Sequence, residues 1–473
     1  MDKILEKIFA LSANKTTFRT EILAGLTTFL TMAYIIFVQP AVMSGALYGT
    51  KTGMDFGAVM TGTCLAAALA TLVMAFYARY PIALAPGMGE NFFFVFSAVP
   101  AAAAAGFANA WQVALGTVFI SGLLFMLLSA VGVREALINV VSPSMKNGIA
   151  VGIGLFIAFI GLQNARIILP NPGTAVKLNP DFSSPDVIIF LFGLIITASL
   201  HARRVRGSIL WGILATCAIS VILKSLLPFL PEIIAGAKPV KESLLMTNLT
   251  IADKIFSAPP PAGQIFFKMD LAGACSTAMA PFIIIFLFMA VFDTMGTLIG
   301  VAEQAGFMKN NRLPRANRAL MADAVGTAMG ACMGNSTVTC YIESAAGVEQ
   351  GGRTGLTGVT VAALFILALF FSPIVKMVGS YAPITAPALV IVGFMMIQNI
   401  SKIEWSDYSE AIPAFLTAIG IPLSFSIADG LAIGFITYPF IKFISGKRRD
   451  LKWPMMLISV ALLLYFILVR ERW

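Results

Sequence analysis

Four carboxylates and an amide stand in otherwise apolar surroundings, where their chemistry has consequences. Asp293 lies inside Phe288-Met289-Ala290-Val291-Phe292-Asp293-Thr294-Met295-Gly296-Thr297. Glu343 follows Thr337-Val338-Thr339-Cys340-Tyr341-Ile342, Asp323 sits in Met321-Ala322-Asp323-Ala324-Val325-Gly326, and Glu90-Asn91 follows Gly87-Met88-Gly89. A carboxylate at mid-bilayer costs ~2.5–3.5 kcal/mol on insertion scales, so it marks a pathway or site unless a neighbouring donor neutralises it for packing. Glu343 suits a ligand role and equally a helix cap, and the two are compatible. Asp323 either tunes Glu343 or Asp293, or pairs with Arg318 near the surface. Asn91 offers donor and acceptor, with Glu90 beside it either a partner or exposed. Two carboxylates opposite an amide fit a planar ring bearing N–H donors and carbonyl acceptors. A carboxyl enclosed in this way can carry a proton in with its ligand. Thr294, Thr297 and Ser336 leave a sodium site open instead.

The elements that must position these residues are unusual. Pro81, Pro86, Gly87 and Gly89 fall within nine residues, which forbids an unbroken helix. Residues 81–86 are expected to be extended, with a helix beginning near Gly87. Thr337-Val338-Thr339 reads as strand, with a helix beginning near Glu343. Strand backbone cannot face lipid, so both segments must be buried in protein or line a cavity. If they meet near the midplane, two helix N-termini point into one pocket and can bind the polar edge of a neutral or anionic ligand. The bland alternative is proline and glycine kinking packed helices. Paired interruptions in corresponding places favour a transporter site.

The remaining chain supplies the scaffold. Of 473 residues, 58% are hydrophobic and 12% charged, and mean hydropathy is +0.89. With only 23 Asp and Glu, the surface of a soluble protein of this size cannot be covered, so the composition is that of an all-α polytopic membrane protein. The excess of 32 Lys and Arg, net +9, is clustered between apolar runs, the positive-inside pattern rather than a nucleic-acid footprint. Those clusters place the N-terminus in the cytoplasm. Five cysteines without CxxC spacing read as small buried hydrophobes, and one histidine leaves no His-based zinc site and no His-assisted nucleophile. No cleavable signal peptide is evident. Residues 1–20 read as an interfacial segment, 21–228 as a first seven-span repeat, and 229–276 as an external connection. Residues 277–445 read as a second repeat and 446–473 as a C-terminal segment with an extra helix over 453–469. Repeated elements in the same order support this, among them Ala70-Thr71 with Gly326-Thr327, and Gly207–Gly212 with Gly430–Gly434. Seven spans per half make an inverted repeat of about fourteen spans.

Four stretches resemble one family: 21–34 (EILAGLTTFLTMAY), 85–91 (APGMGEN), 292–298 (FDTMGTL) and 336–347 (STVTCYIESAAG). They are similar to AzgA-like purine permeases of the nucleobase:cation symporter-2 (xanthine/uracil permease) family, over about residues 15–445. The resemblance implies fourteen spans in core and gate domains, with substrate held between two short midplane strands. It implies purine recognition or proton coupling at Asn91, Asp293 and Glu343, with Asp323 a further acidic position. It also implies import of adenine, guanine or hypoxanthine with a proton across the cytoplasmic membrane, and a homodimer. Glu90 departs from the pattern, in which a neutral residue, often Leu, precedes the Asn. Gly87 and Gly89 backbone would complete the pocket, and Tyr34 is a candidate wall or ordinary packing. The rivals are an anion transporter or channel on the same scaffold, which needs a positive pocket, and a membrane-embedded enzyme, which needs a metal cluster or a nucleophile–base pair. No cofactor is expected beyond the coupling ion.

Overall fold

The computed structural model describes residues 2–46, 52–131, 141–229, 231, 238–307, 313–448, 451–453, 455–456, 459–460 and 462–463. Of the extra helix expected over 453–469 only residues 453, 455–456, 459–460 and 462–463 are described; the rest of it, and the basic-cluster residues 309–312 and 449, lie outside the described residues.

Among the described residues, nine helices are long and apolar enough to cross a membrane by length and composition. In chain order the helices are α1 (Asp2–Phe9), α2 (Phe18–Met32), α3 (Ile35–Met43), α4 (Phe56–Val73), α5 (Met88–Phe93), α6 (Val99–Ala104), α7 (Ala110–Val131), α8 (Pro143–Asn164), α9 (Pro185–Ala202) and α10 (Ser208–Leu226). After a connection holding only single helical turns come α11 (Ala280–Gln304), α12 (Ala316–Cys332), α13 (Ser344–Glu349), α14 (Gly355–Ala368), α15 (Ser372–Ser380), α16 (Ala382–Ile397), α17 (Tyr408–Ser424) and α18 (Ile427–Ile444). The strands are β1 (Leu84–Pro86), β2 (Ile168–Asn171), β3 (Ala175–Leu178) and β4 (Val338–Cys340).

Helix starts follow local chemistry. Asp55 accepts the Ala58 amide at 2.8 Å, and Ser142 accepts that of Met145 at 3.2 Å just ahead of Pro143 in the first turn. A less local cap is Glu21, fully buried on α2. Its carboxylate accepts the backbone N–H groups of Arg353, Thr354 and Thr357, and the Thr357 hydroxyl at 2.6 Å, so it closes the start of α14. Glu21→Ala is expected to destabilise the protein by on the order of 3 kcal/mol, because several charge-assisted bonds go and buried donors are orphaned. The check is the melting temperature of the detergent-solubilised protein; an unchanged value means the α14 donors find other acceptors.

The helices pack in two groups. One gathers α2, α4, α7, α12 and α14; the other gathers α8, α9, α10, α16, α17 and α18. Within the second, Thr197 on α9 donates to Gly193 O at 2.7 Å and Thr417 on α17 donates to Pro413 O at 2.9 Å. Each threonine abuts a glycine of the next helix, Gly212 and Gly434 respectively, where any side chain would overlap its hydroxyl. The first helix, α1, leads into Phe9 and Leu11, which pack on Leu356 and Val359 of α14.

One hairpin goes beyond the sequence reading, and one local reading is corrected. Residues 168–178 form a β2–β3 hairpin, because Asn171-Pro172-Gly173-Thr174 is a turn in which the Asn171 side chain accepts the Gly173 amide at 2.8 Å. Cys275 is exposed and Cys332 half-buried, at the edge of their helices; Cys64, Cys217 and Cys340 are buried as expected.

Candidate functional site

The two interrupted segments meet. β1 and β4 pair antiparallel, Leu84 opposite Cys340, Ala85 opposite Thr339 and Pro86 opposite Val338, and every residue of both is buried. A two-stranded ladder leaves two outer edges, and the sequence satisfies them without water. Thr71 on α4 brackets Leu84, accepting its N–H at 2.9 Å and donating to its carbonyl at 3.0 Å. Thr327 on α12 donates to the Val338 carbonyl at 2.9 Å. The Tyr341 hydroxyl donates to Pro86 O at 2.6 Å, and the Ala83 amide donates to Ser344 Oγ at 3.0 Å.

The two helix starts beyond the strands are not equivalent. The segment from Met88 runs as helix to Ala104, and its first turn keeps backbone donors free of intrahelical partners. The second start is tighter: the amides of Ser344, Ala345 and Ala346 bond the carbonyls of Tyr341, Ile342 and Glu343. The expectation of two open N-termini is therefore met on one side only. On the other, the Glu343 carboxylate occupies the place of free N–H groups.

A cavity of about 1250 Å³ abuts the strand pair. Its inner wall carries Tyr34, Gly87, Gly89, Glu90, Asp293, Thr339, Tyr341 and Glu343, with apolar surface from Met88, Ile153 and Met289. Its far end carries Lys146, Asn147, His201, Gln398 and Lys402. Asp293 lies deep in the protein, yet its side chain is open to this cavity, with the Thr339 hydroxyl beside it. Tyr34, at the break between α2 and α3, donates its hydroxyl to Glu343 Oε1 at 2.9 Å. Gly87 leaves room for its neighbours: a β-carbon there would displace the Glu90 carboxylate and come 3.0 Å from Thr339 Oγ1.

Three residues expected as ligands, and the further acidic position Asp323, stand off the cavity wall. Asn91 is fully buried and off the cavity wall; its amide nitrogen donates to Gln39 and its oxygen accepts the Ser336 hydroxyl. Ser336 is thereby committed as well. Thr294 points away from the cavity and donates to Asp323 Oδ2 at 2.7 Å. Asp323 is buried behind β4, its Oδ1 without a hydrogen-bond partner, and Arg318 is not its counter-ion in any ion pair described. The reason is helical geometry: residues adjacent in sequence, Glu90 and Asn91 or Asp293 and Thr294, point about 100° apart, so only one of each faces the cavity. Gln39, which holds Asn91, went unrecognised because a lone amide in the run Ile35–Val42 carries no periodic signal. Among the described residues no group of three or more His, Cys, Asp or Glu is placed to hold a metal ion.

Outside the helices, Asp407 lies well below the usual carboxylate range, held there by the Lys447 ammonium at 2.7 Å and the Ser409 hydroxyl. A carboxyl depressed on folding contributes stability above its unfolded value and loses it only as pH falls through the folded one. This contact is therefore constant across pH 5–8. Asp407→Asn is expected to leave the pH profile of the protein's activity unchanged in that window; a shifted profile would contradict it.

Comparison with known proteins follows from this geometry. A family model described as Permease family (Xan_ur_permease) matches residues 19–433. The chain is 47% identical over 466 residues to the putative permease MJ0326 of Methanocaldococcus jannaschii, covering 98% of each chain. It is 43% identical to the guanine/hypoxanthine permease PbuG of Bacillus subtilis, covering 96% of this chain and 98% of that one. It is 38% identical to the adenine permease AdeP of Escherichia coli, covering 98% and 96%. In fold it is similar to the transmembrane domain of a cyanobacterial bicarbonate transporter, BicA, with a TM-score of 0.60 at 14% identity over 88% of this chain and 97% of that one. It is also similar to SLC26A9, with a TM-score of 0.62 at 10% identity over 94% and 69%.

Proposed function

Because this chain belongs to the Permease family it matches over residues 19–433, and so is a multi-pass membrane transporter rather than an enzyme, we propose that it imports a purine nucleobase across the cytoplasmic membrane in symport with protons. The observation that carries the reading is the strand pair itself: it borders a cavity into which Asp293 and Glu343 both face. Carboxylates accept from ring N–H and amino groups, and the backbone donors at Met88–Glu90 suit a carbonyl or ring nitrogen. The relatives named for guanine, hypoxanthine and adenine point to the same ligand class.

The nine long helices, the two interrupted crossings, and α12, α17 and α18 make fourteen crossings, read as two inverted sets of seven. The group holding the strands acts as core and the α8–α10, α16–α18 group as gate. With the N-terminus cytoplasmic, the basic mouth at Lys146 and Lys402 faces the cytoplasm, so this conformation is open inward. Beyond the site, the outward path is filled by rings from both groups. Phe96 of the core contacts Phe156 at 5.5 Å and Phe425 at 5.2 Å, and Phe425 also meets Phe159 at 6.1 Å. Phe425 holds a left-handed backbone, φ +53°, as the C-cap that ends α17. Rocking the gate outward must part these rings. Phe425→Gly keeps the backbone conformation and removes the ring. Losing several aromatic pairs at ~0.5–1.5 kcal/mol each favours the outward state and is expected to lower the accumulation ratio ~5–30-fold at equal abundance. An unchanged ratio would remove the cluster from the cycle.

An anion transporter on this scaffold shares the fold of the bicarbonate transporter BicA, but an inner wall with three carboxylates repels anions. The deciding experiment is uptake of tritiated adenine, guanine and hypoxanthine into proteoliposomes with and without an imposed proton gradient. Gradient-driven, mutually competitive uptake supports the proposal; bicarbonate or sulfate flux without purine uptake refutes it.

A further inference from the structure

Behind the cavity, five buried polar side chains from four elements form one hydrogen-bonded chain. Ser336 donates to Asn91 Oδ1, Asn91 Nδ2 donates to Gln39 Oε1, and Gln39 Nε2 donates to Asn335 Oδ1 at 3.2 Å. The Thr63 hydroxyl on α4 is shared between Val59 O at 2.7 Å and the same Asn335 oxygen at 3.1 Å, and Asn335 Nδ2 returns to Met333 O at 3.4 Å. All five are at most fractionally exposed, and none is on the cavity wall. Gln39 is the keystone, because its two ends bind the two half-crossings: the oxygen holds the helix after β1, the nitrogen holds the loop before β4. An amide is the side chain that can accept from one and donate to the other at this length. Glu90, on the cavity wall, is the residue next to Asn91, and Ser336 lies three residues ahead of Thr339. A change in the relay therefore shifts wall groups on both strands together.

We propose that Gln39 is a positioning residue for transport, and that Asn91 acts through it rather than by touching the base. The inference rests on the nucleobase reading above. Its signature is coupling. Gln39→Leu and Asn91→Leu should each lower the maximal rate of tritiated hypoxanthine uptake by ~10–100-fold, since sub-ångström misplacement of binding groups costs that much. Both should leave the order of adenine, guanine and hypoxanthine as competitors unchanged. The double variant should fall within about twofold of the worse single one, because the two act through one chain of bonds. Losses that multiply, or a competitor order altered by Asn91→Leu alone, would overturn the proposal and return Asn91 to the base.

Ser336→Ala, which deletes one hydroxyl and leaves every backbone atom in place, guards against misfolding; it should lower the rate in the same direction by about fivefold. Hydrogen exchange of purified protein without purine gives an arm that does not depend on transport. Gln39→Leu should speed amide exchange in 87–91 and 335–340 together. Protection equal to wild type in either segment contradicts the relay, even if the wild-type protein carried no purine at all.

Discussion

Asp293→Asn is expected to abolish proton-driven accumulation of purine, by ~100-fold or more, while the protein reaches the membrane in normal amount. Asparagine keeps the shape and one acceptor oxygen, so packing on α11 is preserved. What goes is the charge and the capacity to take and release a proton. Asp293 suits that role because its side chain is open to the cavity, where it can exchange with water. Behind it, Thr294, the next residue, donates to buried Asp323 Oδ2 and so links the Asp293 segment to α12. A hydrogen bond to a charged group is worth ~1.5–3 kcal/mol, which alone accounts for about 10–150-fold in binding, and loss of coupling removes the gradient's contribution as well. The measurement is paired: gradient-driven uptake should vanish, whereas exchange of preloaded base at equal pH on both sides should persist at a reduced rate. Uptake equal to wild type would exclude Asp293 from the mechanism.

Glu343→Gln has a different expected outcome, loss of both accumulation and exchange by ~100-fold or more. Glu343 is fixed rather than free: Tyr34 donates to one oxygen at 2.9 Å, and the carboxylate stands where the tight start of α13 leaves no open amides. In the proposed site its second oxygen is the acceptor for a ring N–H. Glutamine puts an NH₂ donor at one of these two places: facing the base it meets the ring N–H donor against donor, and facing Tyr34 it turns the phenol from donor to acceptor and loses the charge-assisted bond. Tyr34→Phe supplies the control. It should weaken apparent affinity only about 5–10-fold, less than the loss of a bond to the base itself, because the hydroxyl holds Glu343 and a water can take its place, and leave gradient dependence intact. Exchange retained in Glu343→Gln would contradict the binding role.

How far these residues were legible in the sequence depended on what kind of signal they carry. Pro81, Pro86 and Gly87 punctuate the chain locally, and Thr337-Val338-Thr339 has a local preference for strand, so both half-crossings could be read without a structure. Asp293 and Glu343 were legible because a carboxylate in an apolar run has no inexpensive alternative. Asn91, Ser336 and Thr294 were legible as polar residues at the right depth but not as to direction. Which neighbour faces the cavity is set by helix rotation about the strand pair, a tertiary quantity. Gln39 and Glu21 find their partners 52 to 336 residues away, a pairing that no window of sequence contains. Phe425 reads as one more apolar residue; its left-handed backbone comes from the α17–α18 corner, not from its side chain.

In the proposed site a planar base sits against the β1–β4 pair, held by the side chains of residues 293 and 343. Electron cryo-microscopy of the protein in lipid nanodiscs, with adenine, guanine or hypoxanthine added, tests it most directly. Flat density is expected beside Thr339, within hydrogen-bond reach of both carboxylates and of the Met88–Glu90 backbone. Base density confined to the Lys146–Lys402 mouth, or against neither carboxylate, would contradict it.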